Sequence, residues 1–159
     1  MLKDHVLKIE QAKLLKDDIL NNLYSPELFG IAIEFYWVSI KDKDKFKLVD
    51  NQQMKYYNDH CDYYDDEYDY YPALMVDEFI DILLPNNVIE KEKPNRSFLL
   101  GVRKFYSVND EEYMWEAEYI SDSSSCFFEV DDLFCKDINL LNALVGLYDK
   151  YKEYEKLNK

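Results

Sequence analysis

Ser97–Ile120 reads SFLLGVRKFYSVNDEEYMWEAEYI. Ser97 to Val108 is dense in aromatic, β-branched and long apolar residues, which is strand composition. Asn109-Asp110-Glu111-Glu112 is polar and suits a turn, and Tyr113 to Ile120 resumes strand composition. The segment therefore predicts an antiparallel hairpin. Side chains alternate along a strand, so Tyr113, Trp115, Ala117 and Tyr119 share one face and Glu116 and Glu118 the other. Asp110, Glu111 and Glu112 fall at the tip, where side chains are free to reach a partner.

The flanking sequence places this hairpin in an α+β protein. Upstream, Leu2, Val6, Ile9, Ala12, Leu15, Ile19 and Leu23 recur every three or four residues, which predicts an amphipathic helix over 2–23. Phe29 to Ile40 reads as a central strand, and Phe46 to Val49 as its partner across a KDKDK turn. Pro72 suits the first turn of a short helix carrying Phe79, Ile82 and Leu83 and closed by Pro85. Downstream, Cys126 to Val130 reads as a short strand. A last helix over 138–157 turns Ile138, Leu141, Leu144, Val145, Tyr148 and Tyr151 inward, with Asp137 as N-cap. This order predicts an antiparallel β-sheet of four to five strands covered by N- and C-terminal helices and one short internal helix. A length of 159 residues predicts a single domain over 1–159, or one domain with an appended hairpin.

The charge is zoned. The chain has 33 acidic and 19 basic residues, a net charge of −14. From Tyr56 to Glu90 there are ten acids and no Lys or Arg; from Phe105 to Cys135 there are nine acids and again no Lys or Arg. The rest of the chain holds all 19 bases. Like charges held together oppose folding, and a field of one sign draws a partner of the other. An acidic pI near 4.5 argues against phosphate backbones as ligands, which need Lys and Arg.

The first zone opens YYNDHCDYYDDEYDYY over 56–71, with six acids among seven tyrosines. A charge run is commonly a solvated loop, but solubility does not require so many tyrosines. Tyrosine offers large contact area at low rotamer cost, and carboxylates beside it pair with Arg and Lys. About half of these tyrosines are expected to serve the core. The partner-binding candidates are Asp59, Asp62, Tyr63, Tyr64, Asp65, Asp66, Glu67, Tyr68 and Asp69, together with Asp110, Glu111 and Glu112 of the second zone. Lys8, Lys13 and Lys16 on the first helix are expected to be bystanders to binding.

Chemistry finds little footing. His5 and His60 stand in no HExxH, HxE or Cys-His setting, and no GxGxxG, GxxxxGK or GxSxG occurs. His60 and Cys61 are adjacent and point apart on any extended segment. The acids at 62–69 lack the Gly and the spacing of an EF-hand. No catalytic residue, metal site or cofactor is expected, and the chain is read as a non-enzyme. Three cysteines without CxxC spacing fit reduced thiols in a cytoplasm. A charged N-terminus and the lack of a long apolar run predict neither signal peptide nor membrane span.

Small size, acidity, a Tyr/Asp/Asn/Lys bias and the lack of catalytic motifs give a profile that resembles the small phage and mobile-element inhibitors of bacterial defence nucleases. The anti-CRISPR proteins that block type II single-effector nucleases are nearest in character. They share no signature motif, so the resemblance covers the whole-chain profile and carries over no residue. It implies a basic protein partner, a nuclease engaged at its DNA-recognition groove or nuclease domain, with no direct nucleic-acid contact. Acidic immunity proteins that neutralise nuclease toxins have the same profile, and an acidic accessory protein that docks a basic subunit without inhibiting it is a third reading.

Overall fold

The computed structural model describes residues 2–23, 32–40, 45–56, 68–89, 97–121 and 129–157. Contacts group into two compact units, Met1–Leu83 and Leu84–Lys159. The α+β class holds, but among the described residues the strands form two antiparallel sheets, of three and four strands, where the sequence reading expects one. Two strands that composition does not reveal account for this. Tyr68–Pro72 (β3) comes from the tyrosine-acid tract and Asn87–Ile89 (β4) follows the internal helix, and each completes a sheet around a stronger strand.

In the first unit β1 (Phe35–Ile40) lies between β2 (Lys47–Asp50) and β3 (Tyr68–Pro72). The central place expected for β1 and its pairing with β2 are both present, in the register Tyr36 opposite Val49. Pro72 closes β3 opposite Tyr36 rather than opening a helix. It has no N–H to offer a further strand, which suits an edge. The next residue's N–H takes up the ladder, Ala73 bonding to the Phe35 carbonyl at 2.9 Å.

Helix α1 is Ile9–Leu23, shorter at its start than the periodicity predicts, with a single 3-10 turn at Leu2–Asp4 before it. Tertiary bonds hold the intervening backbone out of the helix. The Leu7 N–H donates to the Leu74 carbonyl at 2.9 Å, and the Leu7 carbonyl accepts the Trp37 indole N–H at 2.8 Å. Leu7, Ala12, Ile19, Ala73, Leu74 and Phe79 are fully buried around that contact.

The helix starts described in this unit, α1 and those of residues 51–56 and Val76–Leu83, share one device, a side chain in the first turn returning to the residue before it. Gln11 accepts the Lys8 N–H at 3.1 Å. Asp50 and Gln53 exchange bonds at 2.8 and 3.2 Å around the helical residues 51–56 (α2). In α3 (Val76–Leu83) the buried Glu78 accepts the Met75 N–H at 2.8 Å, and its other oxygen takes the Glu34 N–H at 2.7 Å. Burial pushes the Glu78 carboxyl above the usual carboxylate range despite these two bonds.

In the second unit the strand order is β4–β5–β6–β7, with β5 Ser97–Ser107, β6 Glu112–Ser121 and β7 Glu129–Asp137. β5 and β6 are the expected hairpin, joined by ten pairs from Phe98 opposite Ser121 to Ser107 opposite Glu112. Helix α4 (Leu140–Leu157) covers one face, burying Leu141, Ala143, Leu144, Leu147 and Tyr148. The Tyr119 hydroxyl donates to the Pro85 carbonyl at 2.7 Å, which anchors the start of the unit under that face.

Two expectations about α4 change. Its cap is Asn139, whose side chain accepts the Asn142 N–H at 3.2 Å, while Asp137 instead orders the turn by accepting the Asn139 N–H at 2.8 Å. Ile138 therefore lies ahead of the helix and is 61% exposed rather than inward.

Gly146 fixes how closely α4 approaches β7. A Cβ built there collides with the Cys135 sulfur and stands 3.2 Å from the Cys135 Cβ. Alanine is favoured over glycine by about 1 kcal/mol inside a helix, whereas overpacking costs about 1–3 kcal/mol. The collision should win. Gly146→Ala is expected to lower the unfolding free energy by about 1 kcal/mol. The same change made on a Cys135→Ala background, where only the 3.2 Å contact with the Cβ of residue 135 remains, is expected to cost less. Urea melts of the four proteins of this cycle measure the difference.

Candidate functional site

The partner-binding candidates of the two acidic zones fall in different units. Of the first zone's candidates, Asp59, Asp62, Tyr63, Tyr64, Asp65, Asp66 and Glu67 lie outside the described residues. Tyr68 and Asp69 are in β3, opposite Ile40 and Ser39, and both are half-buried. Tyr68 and Tyr70 lean on the cluster of Val38, Val49 and Met54. Tyr71 meets Phe46 edge to face at 5.6 Å. The end of the tract thus uses its tyrosines to build the sheet.

The lysines of α1 are part of that arrangement. Lys13 Nζ lies 4.5 Å from the centre of the Phe46 ring, and Lys16 Nζ lies 4.3 and 5.0 Å from those of Tyr70 and Tyr71. A cation over an exposed ring contributes about 0.5–1 kcal/mol. Reversing both charges, Lys13→Glu with Lys16→Glu, is expected to lower stability by about 1–2 kcal/mol. Lys8→Glu, near the helix start where negative charge is welcome, should change it by less than about 0.5 kcal/mol. Thermal melts of the two variants make the comparison.

Sequence reasoning missed a second acidic surface in this unit. Glu34, Asp50, Asp77, Glu78 and Asp81, with Met75 and others, line a cavity of about 620 Å³. Asp77 and Asp81 stand one turn apart on α3, a spacing visible in the sequence once the helix is placed. Glu78 supports the wall with its two backbone bonds. Among the described residues no group of three or more His, Cys, Asp or Glu is arranged to hold a metal ion.

The second zone's candidates sit where the hairpin reading puts them. Residues 108–111 form the turn, and Asp110, Glu111 and Glu112 are exposed. The Ser107 hydroxyl donates to the Asp110 carboxylate at 2.6 Å, which fixes that side chain over the turn. Glu111 has φ of 56°, in the left-handed region. That conformation costs an L residue about 1–2 kcal/mol. Glu111→Gly is expected to raise the unfolding free energy by about 1 kcal/mol, read by denaturant titration.

Glu116 shares the strand face opposite Trp115, as the alternation requires, but it is not offered to a partner. It is 3% exposed and stands between Arg103 on β5 and Lys136 on β7, its direct cross-strand neighbours. Arg103 binds its Oε1 and Lys136 Nζ its Oε2 at 2.9 Å. Burial alone would push the Glu116 carboxyl up; the bonds from Lys136 and Arg103 outweigh that and hold it below the usual range. A lowered folded pKa gives stability that is present above the unfolded value and is lost as pH falls through the folded one. Glu116→Gln should cost about 1–2 kcal/mol at neutral pH, a modest loss because both cations can return to water. The difference from the parent should vanish in acid below the carboxylate range, as chemical denaturation across a pH series will show.

On the other face of the hairpin the cover ends partway along. Phe98, Ala117 and Tyr119 are buried near the base. Towards the tip Val102 is 39%, Tyr106 51% and Tyr113 63% exposed, and Trp115 is half-buried. Sequence reasoning grouped Tyr113 and Trp115 with the buried Ala117 and Tyr119. Alternation gives the shared face correctly, but it does not show how far along the strand a helix extends.

Compared with protein-family models, curated proteins and solved structures, the chain matches none. No helix among the described residues is long and apolar enough to cross a membrane.

Proposed function

We propose that this protein acts by binding, without catalysis, and that it inhibits a basic, nucleic-acid-handling enzyme by occupying the surface that enzyme uses for its substrate. The observation that carries the reading is the end of the β5–β6 hairpin, where Asp110, Glu111 and Glu112 are exposed beside the exposed rings of Tyr106 and Tyr113. Aromatic residues with a polar rim are the composition of protein interfaces, and carboxylates select an Arg- or Lys-bearing partner. The acid-lined cavity of the first unit adds a second surface of the same sign.

Enzymes that hold nucleic acid do so with Lys and Arg, and a cluster of carboxylates is attracted to the same basic surface. The whole-chain profile resembles anti-CRISPR proteins of type II systems, so the favoured target is a type II effector nuclease inside a bacterial cell. Such an inhibitor needs no cofactor or metal and makes no direct contact with nucleic acid or membrane.

The test is a DNA-cleavage assay with guide-loaded type II effectors. Added protein should abolish cleavage and co-elute with the effector, and the effect should weaken as salt rises. Reversing Asp110, Glu111 and Glu112 to Lys should weaken inhibition by about 2–5 kcal/mol. Gel shifts of the protein with duplex DNA, single strands or RNA should be blank at physiological salt. Micromolar nucleic-acid binding by the protein alone, or full cleavage with no complex, would overturn the proposal.

A further inference from the structure

The uncovered end of the hairpin has a geometry of its own. Lys104 stands opposite Trp115 and Tyr106 opposite Tyr113, and all four share one face. Tyr106 and Tyr113 meet edge to face with ring centres 5.3 Å apart. Lys104 Nζ lies 5.4 Å from the centre of the Tyr113 ring and 5.5 Å from that of Trp115. Two ring faces therefore converge on one cation. Ring faces carry negative potential, and Trp and Tyr are the strongest cation acceptors. The acids at 110–112 follow directly at the tip.

We infer that this aromatic end of the β5–β6 hairpin is a docking surface for an arginine-bearing segment of a basic protein, with the guanidinium taking the place of Lys104 over Tyr113 and Trp115. The inference rests on the reading of the protein as a binder of a basic partner, and it specifies the surface and the residue type recognised. Charge complementarity selects the occupant: a cation for the rings, and further cations for Asp110, Glu111 and Glu112. Arginine is favoured over lysine because the guanidinium is planar, stacks on aromatic rings and is weakly hydrated. The Lys104 ammonium is strongly hydrated and sits on a flexible stem, so it leaves the rings for water readily. Tyr113 and Trp115 are of the residue types that dominate binding free energy at interfaces.

The two tryptophans make the test direct. Trp37 is buried, and its indole N–H is bonded to Leu7, whereas Trp115 is half-buried at the proposed surface. Amide and indole N–H spectra of the full chain are followed during titration with hexa-arginine and hexa-lysine peptides at low salt. The expected result is movement of the Trp115 indole and of the amides of 110–113, with the Trp37 indole still. Hexa-arginine should bind at least about fivefold more tightly than hexa-lysine. Tyr113→Ala should weaken hexa-arginine binding about tenfold or more. Lys104→Ala, which vacates the rings and removes a like charge, should strengthen it. Asp17→Lys on α1 should leave it unchanged.

Tyr113→Ala changes an exposed side chain, so folding is not in question if Trp115 proves too structural to alter. Binding that shifts Tyr68 and Asp69 but leaves the hairpin still would overturn this inference and preserve the basic-partner reading. Equal affinity for the two peptides, or weaker binding by Lys104→Ala, would overturn the guanidinium assignment. Failure of both peptides to bind anywhere would sink both. Movement of Trp115 with protein concentration alone, together with a dimer in sedimentation, would reassign the surface to self-association.

Discussion

The ten-pair ladder between β5 and β6 is the constraint on which the second unit depends. At about 3.3 Å per residue the 11-residue β5 is long for a strand in a unit of this size. The ladder fixes every side chain's face, because a slip of one residue would exchange the two faces. That register brings Ala117 and Tyr119 under α4, stands Glu116 between Arg103 and Lys136, and leaves Tyr106 and Tyr113 together beyond the cover. The close approach at Gly146 and Cys135 seats α4 over the base of the sheet. One register therefore makes the core, the ion triad and the exposed aromatic end.

An acidic chain must decide which carboxylates it can bury. Glu78 and Glu116 are both buried, and each is given partners in a different way. Glu78 takes two backbone N–H groups and closes the start of α3, which joins a helix cap to the strand entry at Glu34. Glu116 takes two cations across the sheet. Their carboxyls shift in opposite directions, up for Glu78 where desolvation dominates and down for Glu116 where the cations do. Among the described residues, Asp110, Glu111 and Glu112 stand exposed at the turn and Asp77 and Asp81 at the cavity wall, so the field at those two places is negative.

The α+β class, the hairpin, the pairing of β1 with β2 and the α4 face were legible because each has a strong local signal: period, β-branched density or a polar turn. β3 was not, because the tyrosine-acid tract carries no alternation that separates an inward from an outward face; Tyr68 and Tyr70 pack on one cluster while Tyr71 meets Phe46. β4 is three residues long and has no period at all. The α4 cap was misplaced by two residues because Asp137 and Asn139 are both good caps and both accept backbone N–H groups. At the candidate surface, the exposed acids at 110–112 follow from the turn. The burial of Glu116 does not, since it depends on cross-strand neighbours from β5 and β7 that only the full register brings together.

The bases explain why the charge zones coexist with a net excess of acid. Lys13 and Lys16 lie over Phe46, Tyr70 and Tyr71, Lys104 over Tyr113 and Trp115, and Lys136 beside Glu116 and the rings of Phe105 and Phe134. Lys150 lies over Phe134 and donates to its carbonyl at 2.7 Å. These cations are held against rings, a carboxylate and a carbonyl of their own chain, where their charge satisfies local partners. Aromatic residues thus act twice in this protein. In the first unit the lysine-covered rings build the sheet, whereas at the end of the hairpin, beyond the cover of α4, Tyr106 and Tyr113 are exposed and the rings that hold Lys104 stand beside the acids of the turn.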